Sequence, residues 1–480
     1  MATAPPQGLV VFGKRDCPTC TMIEPVLTQV AQSGLDLTVY SQDDPIFPES
    51  ISGVIDDTNL EHSYHLKIET VPTAILMDGG KEVRRIVGWN RKEWESITGV
   101  TPLGEDLPAH RPGCGALNVA PGMSEQLAVR FGDIALNARR IELAPLDDEI
   151  ETCFERGWSD GLPVVPPTEV RVARMLQGTS REPGEIIGQI PPDLADCTVE
   201  KVAINAVLAG CKPEYLPIVL TAVEAALEDA FCMHGLLATT WFSGPLVLVN
   251  GPLSRAIGMN SGGNALGQGN RANATIGRAL QLVIRNVGGG VPGGVDRATL
   301  GTPGKYTFCF AEDESDPEWN SLAVERGFAE DASTVTLFAG DGVQGLFDQK
   351  SRQPESLART YAACLRTVSH PKIGMAADAM LVVSPEHFRV FQEAGWDKQR
   401  LQEELFTLLM IPTEEMHAGA DDIAEGLPTT IQADAIPKFR PGGLHIVRAG
   451  GKAGMFSAII AGWVASGDMG STSVTKEIVQ

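Results

Sequence analysis

The sequence has no excess of basic residues. Its 38 Lys and Arg stand against 61 Asp and Glu, which gives a formal net charge of −23 at pH 7. Nucleic acid and anionic membranes bind clustered Lys and Arg, so we expect neither as a partner. No apolar run reaches the roughly 18 residues of a membrane-spanning helix, and the N-terminus lacks the basic stretch and apolar core of a secretory signal. These absences predict a cytoplasmic protein whose nine cysteines are mostly reduced.

A chain of 480 residues is too long for one ordinary core, so we expect two or three domains. We predict a first module over 1–98 and a linker rich in Pro and Gly over 99–147. An α/β domain with loops rich in Gly and Asn follows over 148–330, and a smaller α/β subdomain over 331–480. The recurrence of strand, glycine loop and helix favours layers of helices on mixed sheets in this larger region.

The most informative stretch is Val10–Leu27. It reads as a buried strand, then Cys17-Pro-Thr-Cys20, then a helix. Cys17 is thereby placed at a helix N-terminus, where free N–H groups and the helix dipole favour a thiolate, and Lys14 adds a nearby positive charge. We therefore expect Cys17 to have a lowered pKa and to attack, and Cys20 to resolve. A zinc site is the alternative, but the sequence has no second pair of cysteines or histidines at zinc spacing, so we predict no metal.

A second element, Thr70–Gly88, reads as strand, turn and strand, with Val71-Pro72-Thr73 at its head. Together with the Cys-x-x-Cys helix, it resembles the thioredoxin superfamily over about residues 8–98, and the Pro-Thr between the cysteines is similar to glutaredoxins. The resemblance implies a cis Pro72 against the cysteines and a redox-active Cys17–Cys20 disulfide, and the sequence requires no cofactor. It also implies a small thiol or a reductant of the thioredoxin or glutathione type as partner.

Two further cysteines have competing interpretations. Cys211 follows a helix that Thr198 and Gly210 delimit, and it stands beside Lys212 in a turn. A partly exposed thiol beside a cation ionises readily, so Cys211 is the first candidate nucleophile of the larger region, against an incidental packed thiol. Cys114 lies between glycines in the linker. It is either an incidental loop residue or a relay thiol between the Cys17/Cys20 pair and the larger region.

A stretch rich in Gly and Asn over 259–278 precedes a predicted helix over 279–287 and is neither a Rossmann fingerprint nor a P-loop. Its amides and guanidinium groups suit a polar or anionic ligand, whereas glycines needed only for helix packing are the alternative. The candidate substrate-binding residues are Asn260, Asn264, Asn270, Arg271, Asn273 and Arg278. The rigid loop around Asp160 is a pocket wall or a structural corner, and the segment 450–452 is an anion site before a helix or a tight turn.

The sequence thus predicts an α/β protein in which a thioredoxin-like fold is joined to a large mixed α/β region of two subdomains. The first functional hypothesis is a thiol–disulfide oxidoreductase module fused to a catalytic domain that reduces, or transfers sulfur to, a small polar or anionic substrate. The second is a disulfide reductase with a protein-docking domain. The third is a lyase or hydrolase that the module protects. An oligomer is compatible with the sequence, and no cofactor of the larger region is assigned.

Overall fold

The computed structural model describes residues 7–132, 136–144 and 146–479. The expectation about a secretory signal therefore rests on residues that lie largely outside these ranges. The chain divides between Ala135 and Leu136 into two compact units, here called unit 1 and unit 2. Within the described ranges, no helix is long and apolar enough to cross a membrane.

Unit 1 is built on a five-stranded sheet with the strand order β3-β2-β1-β5-β6. Strands β1, β2 and β3 are parallel, while β5 and β6 are antiparallel to the strands beside them. The elements are β1 (Gly8–Gly13), α1 (Pro18–Met22), α2 (Glu24–Gln32), β2 (Leu37–Ser41), β3 (Ile55–Asp56), α3 (Glu61–His65), β4 (Thr70–Val71), β5 (Thr73–Asp78), β6 (Lys81–Val87), β7 (Trp89–Asn90), α4 (Arg91–Thr98), β8 (His110–Arg111), β9 (Cys114–Gly115) and α5 (Met123–Phe131). This is the thioredoxin-like fold that the sequence predicts.

The central strand β1 divides the core of unit 1 because successive side chains of a strand point to opposite faces. Leu9 and Val11 pack into one cluster with helices α2 and α4. Val10 and Phe12 pack into the other, which also contains Cys17 and Cys20. One face of this strand therefore packs in the same apolar cluster as the two cysteines.

The predicted linker over 99–147 is not a free connector in its first part. Leu103 is fully buried in the core of unit 1, and β8 and β9 pair with β7 and β4. The indole Nε1 of Trp89 donates a hydrogen bond of 2.6 Å to the Pro108 carbonyl. The prolines and glycines that read as linker punctuation instead shape the turns of a segment packed on unit 1.

Unit 2 is organised around a seven-stranded mixed sheet with the order β13-β12-β14-β19-β15-β18, to which β20 is added by pairing with β14. Its helices are α6 (Glu149–Glu155), α7 (Glu169–Leu176), α8 (Val199–Ala209), α9 (Leu216–Ala226), α10 (Met233–Ala238), α11 (Pro252–Ala256), α12 (Arg271–Asn286), α13 (Leu322–Glu325), α14 (Pro354–Leu365), α15 (Pro385–Glu393), α16 (Lys398–Leu408) and α17 (Thr413–Met416). Its strands are β10 (Ile186–Ile190), β11 (Ala195–Thr198), β12 (Gly244–Asn250), β13 (Cys309–Ala311), β14 (Thr334–Phe347), β15 (Ala379–Val383), β16 (Met410–Pro412), β17 (Ala435–Pro437), β18 (Leu444–Arg448), β19 (Phe456–Gly462) and β20 (Val474–Glu477).

Several predicted elements of unit 2 are confirmed. Helix α8 begins after Thr198, whose hydroxyl accepts a hydrogen bond from the Lys201 N–H at 3.2 Å. The helix ends at Gly210, whose left-handed backbone (φ 89°) disfavours other residues. Helix α7 spans Glu169–Leu176, as predicted.

Three features differ from prediction. The strands before and after residue 330 belong to one sheet, so the two expected subdomains share a core layer through β14. The segment after Gly450 forms strand β19 rather than a helix, because it pairs with β14 and β15. The glycines of the segment 450–452 therefore precede a strand and not the predicted helix. Helix α12 begins at Arg271 rather than near residue 279, because Asn270 caps it.

Candidate active site

Cys17 is the N-cap residue of helix α1, and its sulfur accepts a hydrogen bond from the Cys20 backbone N–H at 3.4 Å. The helix breaks at Ile23 and continues as α2, which carries Pro25 in its first turn. Cys17 Sγ also lies 3.5 Å from the carbonyl oxygen of Val71, and the following peptide bond, to Pro72, is cis. The two cysteines and Pro72 thus form one site.

The two thiols of this site differ in acidity. The pKa of Cys17 is lowered to about 5, mainly by a hydrogen bond from the Cys20 thiol and further by hydrogen bonds from Cys114 and from the backbone of Cys20 and Thr19. The pKa of Cys20 is strongly raised, first by its hydrogen bond with Cys17 and then by burial. Cys17 is therefore a thiolate at neutral pH, and Cys20 is a neutral thiol that stabilises it.

Lys14 acts differently from what its position in the sequence indicates. Its charge is not among the main causes that lower the pKa of Cys17. Its backbone N–H hydrogen-bonds to Cys20, and its charge acts on the pKa of Cys114. Donors at hydrogen-bond distance stabilise the thiolate more than a more distant charge does.

A segment of the former linker, residues 110–116, lies along this site; we call it the strap. Its Cys114 stands opposite Val71 and its Gly115 opposite Thr70 in an antiparallel pairing, while Arg111 stands opposite Trp89. Cys114 packs against the apolar cluster that contains Cys17 and Cys20. The structure therefore brings a third cysteine to the pair.

The strap is held on both sides. Before it, the backbone N–H of Arg91 donates to the Ala109 carbonyl at 2.9 Å. Within it, the hydroxyl of Thr19 donates to the Pro112 carbonyl at 2.7 Å. After it, the side-chain carbonyl of Gln42 accepts from the Leu117 N–H at 2.9 Å. These hydrogen bonds hold the strap against the other elements of unit 1.

In unit 2, Cys211 does not have the exposure that we expected. It is only 6% exposed, and its thiol donates to the carbonyl of Thr275 on helix α12 at 3.3 Å. Burial raises its pKa to about 12. The expectation of a partly exposed, easily ionised thiol is wrong, because packing against α12 outweighs the neighbouring lysine.

The residues expected to bind a substrate make hydrogen bonds within the protein. The amide of Asn273 is buried and bonds to both backbone groups of Asn260, at 3.0 and 2.8 Å. Asn260 itself bonds to Gly262 and Gly263, and the other expected ligands bond to backbone or carboxylate groups: Asn264 to Gln268, Asn270 to Gly258 and Asn273, Arg271 to Gly210, and Arg278 to Asp160. The alternative structural interpretation accounts for these contacts.

Unit 2 nevertheless has a cavity of about 490 Å³ close by. Its polar lining includes Asp160, Gln281, Arg285, Asp296 and Lys305. Asp160 is held by two hydrogen bonds of 2.8 Å from Arg278, and Lys305 pairs with Asp296 at 2.7 Å. The Asp160 loop is thus a pocket wall, one of the two interpretations that its sequence left open.

Two polar groups of the cavity lack partners. Among the described residues, neither Gln281 Nε2 nor Arg285 Nε has a hydrogen-bond partner, although both atoms are buried. Neither residue was predicted from the sequence. Their signal was two polar side chains four residues apart in helix α12, a spacing that places them on one helix face.

Across the described ranges, no group of three or more His, Cys, Asp or Glu residues could hold a metal ion. All nine cysteines are free thiols in the structure.

No family model matches the chain. The chain is 36% identical over 81 residues to a thioredoxin of Mycobacterium bovis and to thioredoxins of two strains of Mycobacterium tuberculosis. The match covers 17% of this chain and 60% of the length of each thioredoxin. The chain therefore contains a thioredoxin-like region, and the remainder is unmatched.

Proposed function

We propose that unit 1 is a thiol–disulfide oxidoreductase. The Cys17 thiolate attacks a disulfide, forms a mixed disulfide and releases one thiol. Cys20 then gives up its proton and attacks the Cys17 sulfur, which releases the second thiol and leaves a Cys17–Cys20 disulfide. The observation that carries this proposal is the sulfur of Cys17 at a helix N-terminus, with a pKa of about 5 and Cys20 beside it.

The oxidised pair must be returned to the dithiol by another thiol. The similarity to thioredoxins supports a protein reductant or a small thiol of the glutathione type in this role. The expectation that unit 1 supplies electrons to a reaction in unit 2 stays a prediction, as do the docking and protective alternatives.

The test is reduction of insulin disulfides by the full-length protein, with dithiothreitol as the electron source. We expect Cys17→Ser to lower the protein-dependent rate by at least about 10³-fold, since the attacking group is lost. Cys20→Ser should leave Cys17 trapped in a disulfide, because the resolving thiol is lost. Cys364→Ser, a partly buried thiol of unit 2, is the matched control and should retain the rate. A Cys17→Ser protein with the full rate would refute the proposal.

We also propose that the cavity of unit 2 binds a small organic anion. Arg285 supplies a guanidinium whose Nε has no partner within the described residues, and Gln281 supplies a free amide donor one helical turn away. The other basic group of the lining, Lys305, is neutralised by Asp296. Leu236, Leu237 and Ile284 give the cavity an apolar side. A carboxylate with a short apolar body can accept hydrogen bonds from Arg285 and Gln281 and place its apolar part against this side of the cavity.

Thermal unfolding with succinate, malonate and benzoate as probes tests this second proposal. A carboxylate that binds the folded protein raises the unfolding temperature as its concentration rises. We expect Arg285→Gln to remove that increase. The exposed Arg297→Gln is the matched control, because it removes the same charge outside the cavity lining. An equal increase in both variants would show that the anions bind elsewhere.

A further inference from the structure

The strap pairs with a backbone edge that lies directly beside the reactive sulfur. Val71 lies immediately before Pro72, its carbonyl oxygen is 3.5 Å from Cys17 Sγ, and its partner across the β4–β9 pairing is Cys114. Chains that add a strand to an exposed edge are held by backbone hydrogen bonds, while their side chains determine specificity. Here the added strand belongs to the same unit and carries a thiol.

The strap also accounts for an apparent contradiction in unit 1. Cys17 has 0% of its surface exposed, although it is the group expected to attack a disulfide. Cys114, in contrast, is partly exposed. A disulfide in solution therefore reaches Cys114 more readily than Cys17.

Close approach of the strap depends on a glycine beside the thiol. A Cβ atom at Gly113 would lie 2.5 Å from Thr70 Cγ2 and 2.7 Å from the Val71 carbonyl oxygen. Any side chain there would push the strap away from the edge. The glycine before Cys114, which reads as loop punctuation in the sequence, is what allows the third thiol to reach the pair.

We propose that Cys114 is a third redox residue of unit 1, a relay thiol that forms a disulfide with Cys17 during turnover. This inference rests on the proposed oxidoreductase function. It adds Cys114 as the thiol through which electrons leave the Cys17/Cys20 pair. The Cys114 and Cys17 side chains also share a hydrogen bond, so the two sulfur atoms lie close enough to react with each other.

The steps balance with a small disulfide as oxidant. Cys114 loses its proton and attacks the disulfide, which forms a mixed disulfide at Cys114 and releases one thiol. The Cys17 thiolate attacks the Cys114 sulfur and expels the second half as a thiolate. Cys20 then loses its proton, attacks the Cys17 sulfur and releases Cys114, which is a thiol again. Two electrons pass from the Cys17/Cys20 pair to the small disulfide.

The first experiment traps the intermediate in the full-length Cys20→Ser protein. The protein is treated with oxidised glutathione, quenched with acid and mapped by mass spectrometry. We expect a Cys17–Cys114 disulfide within one chain in at least about tenfold excess over a Cys17–glutathione adduct, because an intramolecular thiol acts at an effective concentration of mM or more. Cys20→Ser/Cys364→Ser should give the same result, and Cys20→Ser/Cys114→Ser only the glutathione adduct.

The outcomes separate this inference from the proposed function. A Cys17–glutathione adduct without the Cys114 link in Cys20→Ser would overturn the relay and leave the oxidoreductase intact. No reaction at Cys17 in any variant would overturn both.

A second measurement uses the rate at which the reduced protein consumes oxidised glutathione. The relay predicts that Cys114→Ser slows this rate about tenfold, because Cys17 is covered by the strap. An increased rate would show that the strap only shields Cys17, and would overturn the relay. Insulin reduction by the same variant reports separately on whether Cys17 and Cys20 still function.

Discussion

Cys17 and Cys211 are both buried thiols with a lysine close by in the sequence, yet their acidities are shifted in opposite directions. Cys17 begins a helix and receives hydrogen bonds from N–H and S–H groups, and its pKa falls to about 5. Cys211 is buried against helix α12, and this burial raises its pKa to about 12. Hydrogen-bond donors thus favour the anion of Cys17, whereas desolvation keeps Cys211 a neutral thiol.

The burial of the two thiols also has different origins. Cys17 is buried in the apolar cluster against which Cys114 of the strap packs, and the strap is held to unit 1 by a small number of hydrogen bonds. Cys211 is covered by helix α12, whose buried face packs on α8 and α9. Coverage by a short strand is removable at low cost, whereas coverage by a core helix is not.

The largest expected effect is in the titration of the two thiols. Ultraviolet absorbance of the reduced protein should show one thiolate appearing near pH 5, because hydrogen bonds stabilise the anion of Cys17. Cys17→Ser should abolish this transition, and Cys211→Ser should leave it in place, since Cys211 stays protonated up to about pH 12. If the transition near pH 5 survives in Cys17→Ser, the assignment of the thiolate is wrong.

The next prediction concerns the position of the strap. Gly113→Ala forces the strap away from Val71, because the added Cβ would lie 2.7 Å from that carbonyl oxygen. We expect labelling of Cys17 by N-ethylmaleimide to accelerate by at least about tenfold, which corresponds to about 1.4 kcal/mol of lost strap binding. Labelling of Cys211 should not change, and this thiol serves as the internal reference. Equal acceleration at both would indicate general unfolding instead.

Unit 2 contains a carboxylate, Asp341, whose pKa is raised by burial, as that of Cys211 is. Burial raises the pKa of Asp341 to about 6, despite hydrogen bonds from Ser243 and Trp241. The folded protein therefore binds this proton more tightly than the unfolded chain does. Stability from this group is present below about pH 4 and is lost as the pH rises through about 6.

Asp341→Asn should remove that loss, because the amide stays neutral and its carbonyl still accepts hydrogen bonds. We expect the variant to be more stable at neutral pH by up to about 3 kcal/mol, from two pKa units at about 1.4 kcal/mol each. The gain should disappear towards pH 4. Urea unfolding followed at several pH values measures it, and a gain that does not vary with pH would contradict the role of this carboxylate.

The sequence was sufficient for features that local residues determine. Thr198 and Gly210 delimit α8, and the Cys-x-x-Cys pattern placed Cys17 at a helix N-terminus, because capping needs only neighbours along the chain. The sequence was insufficient for features that depend on contacts between segments far apart in the chain. The exposure of Cys211 is set by Thr275, 64 residues away, and the strand after Gly450 by its pairing partners β14 and β15.

The same limit applies to the third thiol. The glycines around Cys114 indicated an accessible loop, and a relay was one of two interpretations. Only the pairing of Val71 with Cys114, which joins residues far apart in the sequence, places that thiol beside Cys17. The candidate pair was therefore predictable from the sequence, whereas its cover and the cavity with Gln281 and Arg285 were not.

The smallest expected effect tests a single anchor of the strap. The Thr19 hydroxyl donates a 2.7 Å hydrogen bond to the Pro112 carbonyl, and Thr19→Val removes that donor with little change in shape. Because Pro112 is exposed, its carbonyl can bond to water instead, so the loss is about 1 kcal/mol and the strap opens about fivefold more often. Maleimide labelling of Cys17 should accelerate by the same factor. Thr28→Val, which removes a hydroxyl bonded to the Glu24 carbonyl within helix α2, is the control, and equal rates in both variants would show that the Thr19–Pro112 bond does not hold the strap.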